Sequence, residues 1–66
     1  MENLMSMAMA IQYHYEDDLD DANTYEDLHD IAFDAAHIEF DDLDEIALDR
    51  IADLVVELYQ EEEEAA

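Results

Sequence analysis

Asp42-Leu43-Asp44-Glu45-Ile46-Ala47-Leu48-Asp49-Arg50-Ile51-Ala52-Asp53-Leu54-Val55-Val56-Glu57-Leu58 is the stretch that decides the fold. Leu43, Ile46, Ala47, Ile51, Leu54, Val55 and Leu58 recur every three or four positions, the period of a helix that turns one face to a core. Asp42 with Glu45 three residues on reads as an N-cap and its N3 partner, so the spacing predicts a helix over about 42–60.

Upstream, Thr24 with Asp27 gives a weaker form of the same capping pattern. Tyr25, Leu28, Ile31, Ala32 and Ala35 then make an apolar stripe, predicting a helix over about 24–38. Leu4, Ala8, Ile11, Tyr15 and Leu19 share one face of a first helix, about 2–19, which Asp20-Asp21-Ala22-Asn23 interrupts. Short connections favour antiparallel neighbours. The expected fold is therefore all-α, a small three-helix bundle forming one acidic domain over residues 1–60, with 61–66 as a frayed, solvated acidic tail.

Charge is the second constraint. Of 66 residues, 22 are Asp or Glu, and Arg50 is the single Lys or Arg, so the formal net charge is −21. High net charge usually accompanies disorder, but 52% of the chain is hydrophobic and set at helical spacing, so a core is available. A domain of this size buries only about 60% of its unfolded-chain surface, which favours help from a second subunit.

The absence of Gly, Pro and Cys excludes glycine phosphate loops, tight hairpin turns and disulfide staples. Met1 to Ile11 has no basic start and is too short to span a bilayer, so the chain reads as intracellular, in the cytoplasm.

The acids are also patterned. Asp42, Glu45, Asp49, Asp53 and Glu57 step along one side of the third helix, and Asp27, Asp30 and Asp34 along the second. Like charges at this spacing oppose helix formation by a few tenths of a kcal/mol per pair, so helix stability does not explain them. An ordinary wet helix face mixes signs, and here Lys and Arg are missing except at Arg50. Twelve of the 22 acids are Asp, the poorer helix former, whose short stem holds charge near the backbone. Duplex DNA carries one negative charge per about 1.7 Å of axis, so 21 charges match about 36 Å of duplex.

In its small size, extreme acidity and carboxylate rows at Asp27 to Asp34 and Asp42 to Glu57, the chain resembles the acidic DNA-mimic proteins of phages and mobile elements. That class includes anti-restriction proteins and anti-CRISPR inhibitors. No sequence motif of a particular family is matched, and no family residue is carried over. The resemblance implies an inhibitor of a host bacterial defence complex; the row pattern itself picks out Asp27, Asp30, Asp34, Asp42, Glu45, Asp49, Asp53 and Glu57 as the carboxylates expected to stand in for phosphates. Its partner would be a positively charged nucleic-acid-binding protein, with no direct binding to nucleic acid. Two other readings stay open: an acidic module that binds a basic protein without competing with DNA, and a small helical domain adapted to molar salt, where the Debye length falls to about 3 Å.

Other chemistry is weakly signalled. Glu26-Asp27-Leu28-His29 has the Glu-x-x-His spacing of di-iron bundles, but a second copy is lacking, so no metal site and no cofactor is expected. Ser6 has no His at helical spacing and there is no Cys, so an enzyme is not expected. Met1, Met5, Met9 and Tyr13 form a second apolar line on the first helix, either a central helix touching two neighbours or a homodimer face. Arg50, in phase with the core edge, is expected to neutralise a carboxylate on another helix. Tyr25, Phe33, Phe40 and Tyr59 are expected at the core or its boundary.

Overall fold

The structure, a computed structural model, describes the backbone of residues 3–65 and the side chains of residues 3–61. The chain forms α1 (Leu4–His14), α2 (Glu16–Asp20), α3 (Tyr25–Glu39) and α4 (Glu45–Ala65), with no strand among the described residues. The expected all-α class holds. α1, α3 and α4 pack pairwise on one another, and short α2 lies against α1 and α3. A radius of gyration of 10.9 Å matches the value of about 10.8 Å for a compact chain of this length, so collapse prevails over charge repulsion.

Each boundary has a local cause. Asn3 caps α1 by accepting from the Met5 N–H at 2.9 Å. The continuous first helix expected over 2–19 is instead broken at Tyr15, where φ is −117° and ψ 25°. Unbroken, that helix would carry Glu16, Asp17 and Asp18 toward the negative end of its dipole. The break makes them the first turn of α2, where a carboxylate is favoured. Continuity of the hydrogen bonding is kept, since the Tyr15 N–H donates to Ile11 O and its carbonyl accepts from Leu19 N, both at 2.9 Å.

Thr24 caps α3 as expected, its Oγ1 accepting from the Asp27 N–H at 3.1 Å. The start of α4 differs from expectation. Asp44, two residues beyond Asp42, supplies the cap, with its Oδ1 accepting from the Ala47 N–H at 2.9 Å. Without Gly or Pro, reversal from α3 to α4 occupies residues 40–44, and the Leu43 N–H closes a turn on Phe40 O at 3.2 Å. Asp42 lies in that turn. At the other end α4 runs past residue 60 to Ala65. Glu and Ala are strong helix formers, and no Gly or Pro stops them.

The core contains Met7, Ala8 and Ile11 of α1, Leu19 of α2, Leu28, Ala32, Ala35 and Ala36 of α3, and Leu48, Ile51, Ala52 and Val55 of α4. Alanines at the helix contacts leave room for close approach, while Ile11, Leu19, Ile51 and Val55 each contribute about 1.5–3 kcal/mol of burial. The register of α4 corrects the sequence reading. Leu48 and Ala52 point inward, whereas Ile46 is 81% exposed. Two overlapping apolar stripes run along this helix, and starting it at Glu45 turns the one through Leu48, Ile51, Ala52 and Val55 to the core. Phe33, Phe40 and Tyr59 pack partly buried at the boundary, but Tyr25 is exposed.

Two phenols tie the elements together. Tyr15 Oη donates to Glu39 Oε1 at 3.0 Å, linking the α1–α2 break to the end of α3. Tyr59 Oη donates to Asp20 Oδ1 at 2.8 Å, linking α4 to the end of α2.

Candidate functional site

The two carboxylate rows are set on different sides of α3. Asp27, Asp30 and Asp34 are exposed and turned away from the buried stripe Leu28, Ala32 and Ala35. Asp34 borders a shallow groove with Asp18 and Asp21 from the α2 region, floored by Tyr15, Ile31 and Ala35. Five residues separate His29 from Asp34, about 140° around a helix, so His29 lies on the opposite edge, toward α4. There Asp53 and Glu57 share a groove with Glu26, His29 and Arg50.

The remaining sequence-predicted positions are scattered along α4 and its approach. Asp49, Asp53 and Glu57 are exposed on its α3 side, and Glu45 is exposed at its first residue, where the helix dipole favours an anion. Asp42 is exposed in the preceding turn, outside the helix that was expected to carry it. The anions thus wrap around α3 and α4 on two faces instead of forming one plane.

One constellation was not anticipated. His29 Nε2 lies 3.2 Å from Asp49 Oδ1 and 3.2 Å from Asp53 Oδ1. Its side chain is 29% exposed, against 60% and 57% for the two aspartates. The Glu26–His29 spacing predicted no metal site, for want of a second copy; the carboxylates that meet His29 come from α4. Their spacing at i and i+4 was visible in the sequence, but their meeting with His29 depends on helix packing.

Arg50 does not act as expected. It is exposed, and among the described residues it makes no ion pair within 4 Å. The inter-helix contact to carboxylates that was expected of Arg50 is made instead by the His29 ring. Tyr15 has its phenol pushed above its ordinary range, first by partial burial, then by the hydrogen-bonded carboxylate of Glu39 and by Asp18.

α1 contrasts with all of this. Asn3 to Tyr15 contains no Asp or Glu, so Glu2 is the one acid before residue 16 and the other 21 follow. Met5, Met9 and Tyr13 are exposed there, with Tyr13 at 79%. Met1, the first residue of the expected apolar line, lies outside the described residues.

Among the described residues no helix is long and apolar enough to cross a membrane. Comparison with protein-family models, with curated protein sequences and with solved structures finds no match to this chain.

Proposed function

We propose that the protein is a DNA-mimic inhibitor that occupies the nucleic-acid-binding cleft of a bacterial defence complex, a CRISPR effector or a restriction enzyme. The supporting observation is linear charge density. The body measures 34 × 21 × 19 Å and the chain carries −21, one net charge per about 1.6 Å of its long axis, against about 1.7 Å for duplex DNA. Removing Glu2 and Glu62 to Glu64, whose side chains lie outside the description, leaves 18 of the 22 acids; with Arg50 this is one net charge per about 2.0 Å. About 34 Å is also one turn of duplex.

Placement of the charge supports the same reading. Adaptation to salty solvent would acidify every wet surface, yet Ser6, Met9 and Tyr13 are exposed on a helix with no acid. The carboxylates of α3 and α4, Asp27, Asp30, Asp34, Asp42, Glu45, Asp49, Asp53 and Glu57, meet the basic cleft, and complementary potentials speed the encounter. The acid-free α1 face, with Met5, Met9 and Tyr13, pairs with a second copy where repulsion between two such chains is weakest, doubling the acidic surface. The inhibition itself calls for no cofactor and takes place in the cytoplasm of the host bacterium.

Capture of the target from a bacterial lysate at moderate salt, followed by a wash with duplex or guide-loaded DNA, tests this. Release of the target by DNA is expected. A captured protein that holds DNA and this chain together would instead make it an acidic module for a basic partner.

A further inference from the structure

We infer that His29, Asp49 and Asp53 form a three-ligand site for one first-row divalent metal ion, of zinc-like preference, at the α3–α4 contact. The inference does not rest on DNA mimicry, although Asp49 and Asp53 are also among the carboxylates assigned to that role. One imidazole nitrogen and two carboxylate oxygens are a donor set that such ions take, with bonds of about 2.0–2.2 Å. Two donors on one ion at that bond length stand about 3.0 Å apart at a right angle and about 3.4 Å apart at the tetrahedral angle. His29 Nε2 stands 3.2 Å from each aspartate oxygen, and the three donor atoms fall within 4.8 Å of one another. The two His29 separations are those of ligands around a common centre.

The frame suits the task. Asp49 and Asp53, at i and i+4, occupy one face of α4, as the paired ligands of helical zinc motifs do. His29 comes from α3, half-buried and held by the packing that brings the two helices together. Three protein donors leave at least one position for water, the arrangement of an open site.

Electrostatics argues the same way. Two carboxylates one helical turn apart repel. Among the described residues no Arg or Lys reaches either of them, although Arg50 is the next residue in the chain. A divalent ion carries the two positive charges that would balance both carboxylates. Glu26 and Glu57 border the same groove and deepen the negative potential that draws a cation in.

The test uses the full chain, with Zn²⁺ followed by calorimetry and Co²⁺ by its visible absorption, at moderate salt and in excess Mg²⁺. Expected are one tight equivalent per chain and the intense cobalt bands of a nitrogen-containing low-coordinate site. His29→Gln and Asp53→Asn should each lower affinity at least tenfold, while the Asp27→Asn, Asp30→Asn pair leaves it unchanged. In proton spectra Zn²⁺ should shift the His29 ring signals and spare those of His14 and His37. Several weak equivalents displaced by Mg²⁺, wild-type binding by His29→Gln, or equal losses in the charge-matched control would each overturn the site and leave only a counterion atmosphere. Circular dichroism on each variant separates lost binding from lost folding, and His29 ring shifts in the wild-type chain decide the matter where a variant unfolds.

Discussion

α1 and α4 are neighbours in the bundle, and each turns one side to the same solvent, yet they treat charge in opposite ways. α4 exposes Glu45, Asp49, Asp53, Glu57 and Glu61, whereas α1 has no acid at all and exposes methionine and tyrosine. Had acidity been only a matter of composition, the two wet faces would resemble each other. Their difference indicates that the acids are distributed by surface, not spread evenly by composition.

The sharpest way to break this contrast is to reverse charge on one side and add it on the other. With a chelator present, to keep metal out of the measurement, Asp49→Lys, Asp53→Lys and Glu57→Lys together should weaken partner binding by about 2–5 kcal/mol, roughly 30- to 5,000-fold. Ser6→Lys with Gln12→Lys on α1 should cost less than about tenfold. Equal losses, measured by surface plasmon resonance or calorimetry, would remove the functional distinction between the faces.

The α1 side can be attacked next. Met9→Glu with Tyr13→Glu makes it resemble α4, and should weaken self-association by about 2 kcal/mol, roughly 30-fold, as read by sedimentation equilibrium. A wild-type chain that stays monomeric at every concentration and salt level would assign that apolar face to another use. A smaller effect concerns the fold itself. Screening the acids by raising NaCl from about 0.05 to 0.5 M should add about 1 kcal/mol, or 4–8 °C in Tm, because repulsion between carboxylates opposes the compact state. An unchanged Tm would mean that the rows are too far apart to strain the bundle.

The smallest expected effect is at the junction of α1 and α2. The Tyr15 phenol has its pKa raised above 10.0 on folding, so the neutral form is the one the structure favours. Its contribution is fully present below pH 10.0 and is lost as pH rises through the folded-state value. Tyr15→Phe should lower the urea midpoint only slightly at neutral pH and flatten its alkaline fall. A mutant with the same alkaline slope as the parent would place that fall elsewhere.

What could be read ahead of the structure follows from range. Thr24 as a cap and the stripe Leu28, Ala32 and Ala35 are local facts, set within a turn or two, and both are seen. The choice between Asp42 and Asp44 as cap depended on how many residues the reversal after Phe40 consumes. That same two-residue difference turned Ile46 outward and Leu48 inward. The break at Tyr15 carried no Gly or Pro to announce it. Apart from Asp42, the acidic rows were legible because each lies within a single helix. Their division over two edges of α3, and the meeting of His29 with Asp49 and Asp53, were not, because residues 20 and 24 positions apart are joined only by packing.

The phenol bonds of Tyr15 and Tyr59 bear on a problem that any polyanionic fold must solve. A lysine in either place would also hold its carboxylate, but at the cost of one unit of the charge. A hydroxyl donor fixes Glu39 and Asp20 in position without adding a positive charge beside them. Stapled by neutral donors, the molecule can be ordered without being titrated toward zero.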